Sequence, residues 1–125
     1  MRQGRLPALI KIKRIYDRAS DDDGYRVLVD QLWPRGLNKE DARIDRWVKE
    51  IAPTQELRKW YNHDPEKWPE FKRRYFDELD EHTEFINEFV KTIKERNVTF
   101  LFSSKELKLN NAVALKEYIE KKSKT

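Results

Sequence analysis

Tyr16, then Arg35 with Gly36, then Ser103, Ser104 and Lys105 each follow closely on a short apolar run with strand character. In an open α/β sheet the ligand crevice lies beyond the carboxyl ends of the parallel strands, so these are the positions where binding chemistry collects. Arg35 and Lys105, joined by Arg26 in the second run, supply cations; Tyr16, Ser103 and Ser104 supply hydroxyls, and Asn110 an amide. With the exposed amides around Gly36 and the following helix start, this set suits a phosphate or carboxylate through charge-assisted hydrogen bonds. The plainer reading is that strand ends are exposed and simply polar.

His63 beside Asp64 has the composition of a general base with its orienting carboxylate. Asp64 precedes Pro65, however, and Asp before Pro is a strong helix start, which leaves a surface histidine ahead of a capped helix as the competing description. Asp30 is a carboxylate within an apolar run, and burial requires it to be paired. It either orients an arginine, Arg26 or Arg35, or accepts from loop amides. His82 falls on an apolar helical stripe and reads as a packed or capping residue. Asp21 to Asp23 lack the spacing of a calcium loop and read as hydrophilic loop. Trp33, Trp47, Trp60 and Trp68 would stack on nucleobases if exposed, but their spacing fits a core better.

Several classes drop out. No P-loop, dinucleotide-binding glycine pattern, HExxH, GxSxG, helix-turn-helix or zinc-knuckle spacing is present, and the chain has no cysteine. The sequence therefore proposes no cofactor and no metal ligand set.

The elements that must position these residues are legible from periodicity. Leu9 to Tyr16 alternates, with Ile10, Ile12 and Ile15 on the buried side, and reads as a strand. Asp17 to Gly24 is a loop; Tyr25 to Trp33, with Val27, Leu28 and Val29 in succession, reads as a strand covered on both faces. Asn38 is placed to cap a short helix, and Ile44, Trp47, Val48 and Ile51 fit its apolar face until Pro53. Thr54 caps a second helix carrying Leu57, Trp60 and Tyr61. From Pro65, Trp68, Phe71, Tyr75, Leu79, His82, Ile86 and Ile93 form one stripe about 40 Å long at helical rise, so a break is expected between Asp80 and Thr83 into two antiparallel helices. Asn97 suits a helix C-cap, Val98 to Phe102 a third strand, and Asn110 the cap of a last amphipathic helix. The order predicts a small α/β domain with a mainly parallel sheet of three or slightly more strands and helices on both faces.

Length and composition agree. The 125 residues suffice for one core, so one domain is expected over 1–125, with 1–8 and 121–125 flexible. The chain is 40% charged and 38% apolar, but four Trp, five Tyr and six Phe make a packed core feasible. The net charge of +4 leans only slightly toward anionic partners. Leu6 to Ile10 is too short for a signal segment and is interrupted by Pro7, and no run reaches membrane-spanning length, so a cytoplasmic location is expected.

Beyond these local patterns, Arg14 to Asp17, Asp23 to Leu37 with its WPRGL segment, Ala52-Pro53-Thr54, Glu56-Leu57-Arg58 and His63-Asp64-Pro65 resemble the YeaO-like family, domain of unknown function 488. The resemblance continues through Trp68, Phe71, Arg74-Tyr75 and Glu78-Leu79 to Asn110-Asn111-Ala112, and implies a compact α/β domain. Where that family usually has Asn-His-Ala this chain has Asn110-Asn111-Ala112, and where members often show a Tyr and an Asp around the third strand's exit it has Phe102 and Glu106. A mechanism needing that histidine or tyrosine is not carried over. Two functions are expected from the whole: a site for an anionic small molecule, phosphate or nucleotide-like, or else a non-enzymatic nucleic-acid- or protein-binding module using the basic termini and aromatic surface.

Overall fold

A computed structural model describes residues 9–123. The expectation for 1–8 and for the last two positions lies outside the described residues, while residues 121–123 close the final helix.

Four parallel strands, β1 (Leu9–Arg14), β2 (Tyr25–Leu28), β3 (Arg46–Trp47) and β4 (Asn97–Phe102), form one sheet in the order β1-β4-β2-β3. The inner strand β4 runs from Leu9↔Asn97 to Arg14↔Phe102 against β1 and pairs Val27 with Phe100 on its other side. With ladders on both edges and cover on both faces, every residue from Val98 to Phe102 is buried, which is why this strand is a continuous apolar run except for Thr99. The Thr99 hydroxyl is satisfied by donating to the Asp23 carbonyl at 2.7 Å.

Strand alternation sorts the side chains into two cores. Ile10, Val27, Val29, Val98, Phe100 and Phe102 face the larger one. It is completed by α2 (Gln55–Tyr61), α3 (Trp68–Asp80), α4 (Thr83–Ile93) and α5 (Asn111–Ser123) through residues such as Leu57, Phe71, Tyr75, Phe89 and Leu115. Burying each such side chain contributes about 1.5–3 kcal/mol. Ile15, Leu28 and Leu101 face the smaller core, covered by Ala42 of the short α1 (Lys39–Ala42) and by Trp33, Leu37, Ile44 and Trp47.

The caps expected from the sequence are in place. Asn38 accepts from Asp41 N at 2.8 Å, Thr54 from Leu57 N at 3.2 Å and Asn110 from Val113 N at 3.0 Å. The long stripe breaks between α3 and α4, where Thr83 Oγ1 donates to the Asp80 carbonyl.

Three expectations need correction. Ile44 to Ile51 does not continue the helix, because Arg43 is left-handed (φ 50°), ends α1, and sends Arg46–Trp47 into the sheet beside Val27–Leu28; only a single 3-10 turn, Lys49–Ile51, follows. The helix-like spacing arose because Ile44 and Trp47 serve one core while Val48 and Ile51 serve the other. Asn97 opens β4 instead of capping a helix: α4 stops at Ile93, and Glu95 takes the left-handed turn (φ 66°). The ladder of β2 ends at Leu28, so Asp30 stands just beyond the strand end. His82, expected to pack or cap, is exposed: it stands at the N-cap position of α4 but its side chain makes no capping hydrogen bond. No helix among the described residues is long and apolar enough to cross a membrane.

Candidate functional site

Because all four strands are parallel, β1, β2 and β4 deliver their following residues to the same end of the sheet, where the start of α5 and the end of α2 meet them. There Tyr16, Asp30, Arg35, His63, Ser103, Ser104 and Asn110 line one cavity of about 650 Å³, within the usual range for small-molecule sites.

Asp30 forms its floor. Its Oδ2 accepts from the Ser103 amide and hydroxyl, both at 2.8 Å, and its Oδ1 accepts from Asn111 Nδ2 at 3.0 Å. Asn111 also donates to the Val29 carbonyl at 3.0 Å, while Trp47 Nε1 donates to the Asp30 carbonyl at 2.7 Å. Of the two roles open to Asp30, the structure shows the acceptor of loop donors. Its partners stitch the ends of β2 and β4 to α5.

The walls are held with equal definition. Tyr16, exposed at the rim, donates to the Arg35 carbonyl at 2.8 Å, and the Arg14 guanidinium lies 5.0 Å from its ring centroid. Arg14 also donates to the Ser103 and Ser104 carbonyls at 3.0 and 2.9 Å, fixing the loop after β4. Opposite, Asn62 (φ 47°) and His63 (φ 56°) are consecutive left-handed residues, a conformation that non-glycine side chains take at a cost of about 1–3 kcal/mol each. The turn they make aims both side chains' positions at the cavity. Tyr61 donates to the Leu109 carbonyl at 2.8 Å; burial pushes its phenol up, with Glu106 and Asp64 adding to the effect. Glu106 accepts from the Lys108 and Leu109 amides, which hold its carboxyl below the ordinary value, helped by His63.

Four residues of the expected set stand apart. Arg26 lies buried at the start of β2, where it ion-pairs with Asp23 and donates to the Arg43 and Ala42 carbonyls at 2.9 and 2.8 Å. It pins the α1–β3 connection. Gly36 makes a left-handed turn (φ 77°) outside the lining, Lys105 is exposed outside it, and Asp64 caps a 3-10 turn at Pro65–Lys67 by accepting from Glu66 N at 3.0 Å.

Sequence reading missed Arg58, Lys59, Gln31 and the lining role of Asn111. Arg58 Nη2 donates to Gln31 Oε1 at 2.7 Å, and its Nε is buried with no hydrogen-bond partner among the described residues. The signal was there in position only: Arg58 follows Leu57, whose side chain faces the core. Among the described residues no group of three His, Asp or Glu side chains is arranged to hold a metal ion.

Parallel topology with a cavity beyond the strand ends defines an open α/β domain. Residues 9–125 match the family model described as the inactive DUF488-N3 subclade, and the chain belongs to this DUF488, YeaO-like family. It is 39% identical over 110 residues to YeaO of Escherichia coli (strain K12), covering 88% of this chain and 96% of that protein. It is also 49% identical over 70 residues to Rv3073c of Mycobacterium tuberculosis and to Mb3100c of Mycobacterium bovis, covering 56% of this chain and 59% of each of those proteins. No solved structure matches the chain significantly.

Proposed function

We propose that the cavity binds a small anionic molecule, phosphate or nucleotide-like, and holds it without turning it over. One observation carries the reading: the half-buried guanidinium of Arg58 lines the cavity, with Gln31 as its one side-chain partner among the described residues. An anionic oxygen on its remaining donors would form charge-assisted hydrogen bonds, stronger than neutral ones. Arg35 and Lys59 line the same space, so its cations outnumber the single carboxylate, Asp30.

Holding without turnover is supported by the matching subclade's description as inactive. It is also supported by chemistry, since Asp64 is engaged as a cap instead of orienting His63, and Asn111 at the start of α5 carries no titratable proton. The nucleic-acid alternative lacks a comparable observation, because all four tryptophans pack against the two cores.

The test is thermal denaturation of the wild type and Arg58→Ala with inorganic phosphate, ribose 5-phosphate and adenosine 5′-monophosphate. The reading expects the wild type to melt a few degrees higher with at least one of these at tenfold over its dissociation constant, and the variant to show no shift. A wild type unmoved by all three, at millimolar concentration and low salt, would overturn it.

A further inference from the structure

We infer that the cavity recognises a phosphate ester that also carries hydroxyl groups, with the phosphate on Arg58 and a ligand hydroxyl on Asp30. The inference rests on the anion-binding reading above and narrows it to one chemical class. A carboxylate offers about four lone-pair positions. On Asp30, two are taken on Oδ2 by the Ser103 amide and hydroxyl, and one on Oδ1 by Asn111. One acceptor position on Oδ1 remains unused, on a half-buried side chain that lines the cavity.

Arg58 supplies the complement, a guanidinium that lines the same cavity and whose one side-chain partner among the described residues is Gln31, the residue after Asp30, which accepts from Nη2 at 2.7 Å. A bare anion at Arg58 meets the guanidinium but sets its own charge against Asp30 and leaves the acceptor empty. A ligand with hydroxyls a few bonds from its phosphate engages both, and turns the carboxylate from a source of repulsion into a partner. Sugar hydroxyls suit a carboxylate just beyond a parallel strand, and the rings of Trp33 and Tyr61 offer an apolar wall for the carbon skeleton. Free sugar phosphates and nucleotides share this chemistry.

The experiment is isothermal titration of the chain at low ionic strength with methyl phosphate, ribose 5-phosphate and adenosine 5′-monophosphate. The expected result is that at least one hydroxyl-bearing ligand binds about tenfold tighter than methyl phosphate, and that Asp30→Asn brings the ratio toward one. Tighter binding of the nucleotide identifies the base as a further contact, and the reverse identifies the free sugar phosphate. Equal affinity for all three ligands overturns the inference and leaves the anion site standing; binding of none overturns both. A preference that persists in Asp30→Asn assigns the hydroxyl to another residue and also overturns it. Should that variant fail to fold, the ligand series on the wild type decides, because it changes no protein contact.

Discussion

The Ser103 amide and hydroxyl both close on one oxygen of Asp30, at 2.8 Å each, so the end of β4 is tied to the end of β2 through a carboxylate inside the cavity it helps to shape. Ligand contact and fold are therefore coupled at Asp30. At Arg58 they separate, because its one side-chain partner is Gln31.

Arg58→Ala accordingly changes stability little. It removes one hydrogen bond from a charged group, worth about 1.5–3 kcal/mol, and at the same time the buried unpaired Nε, whose cost of about 1–3 kcal/mol opposes it. Urea denaturation is expected to shift by less than about 1.5 kcal/mol. A loss above about 3 kcal/mol would mark Arg58 as a structural residue and remove the basis for treating it as a ligand contact.

Asp23 behaves in the opposite way. Burial pushes its carboxyl up, but the Ser20 amide and the Lys13 and Arg26 cations hydrogen-bonded to it more than offset this, and it ends below the usual range. A carboxyl depressed in the folded state stabilises above its unfolded value, near about pH 4, and that contribution disappears as pH falls through the folded value. Asp23→Asn is expected to lose about 3–5 kcal/mol at neutral pH, since it leaves buried Arg26 without its counter-charge. The acid-side slope of stability should flatten in the same variant. An unchanged slope would assign acid sensitivity to other carboxyls.

Gly24→Ala is expected to be severe. A Cβ there would stand 2.4 Å from the Asn97 carbonyl oxygen, and the backbone is left-handed at φ 65°. Because the obstacle is backbone at the start of β4, relief requires the loop before β2 to move off the sheet. Far-UV circular dichroism should show a loss of several kcal/mol or failure to fold. Gly36→Ala, left-handed too but with open space around it, should lose only about 1–2 kcal/mol.

Tyr75 tests the packing beneath the cavity. Its hydroxyl donates to the Ile51 carbonyl at 2.7 Å from a fully buried position, and burial pushes its phenol well above the usual value. A raised folded value means its contribution is complete below about pH 10 and is lost as pH rises past it. Tyr75→Phe should lose about 1–3 kcal/mol at neutral pH. In the wild type, phenolate absorbance should show this tyrosine ionising only together with unfolding.

Much of this architecture was legible in the residues because local chemistry dictated it. Asn38, Thr54 and Asn110 cap helices where their short polar side chains meet orphan amides, and the stripe from Trp68 to Ile93 exceeds what one straight helix can bury. The strand-end rule located Tyr16, Arg35, Ser103 and Ser104 around the cavity. Arg26, added to the set as a cation of the same run, lies at the other end of its strand, and periodicity failed for Trp47, whose apolar spacing is identical whether one helix or two cores create it. Arg58 could not be singled out at all, since one arginine among the charged residues of a short helix is unremarkable until its place in the cavity lining is seen.

β4, an inner strand of the sheet, comes last of the four strands in chain order, after all of α2, α3 and α4. During synthesis β1 and β2 therefore emerge with no neighbour between them, and the edge of β2 that faces β4 stays unpaired until residues 97–102 have cleared the ribosome tunnel. Non-local parallel pairing of this kind is intrinsically slow. The helices, built from local contacts, are free to form early, and β4 is the last strand available to the sheet, so the ends of β1 and β2 and the loop carrying Ser103 and Ser104 can meet around the cavity only after it has arrived.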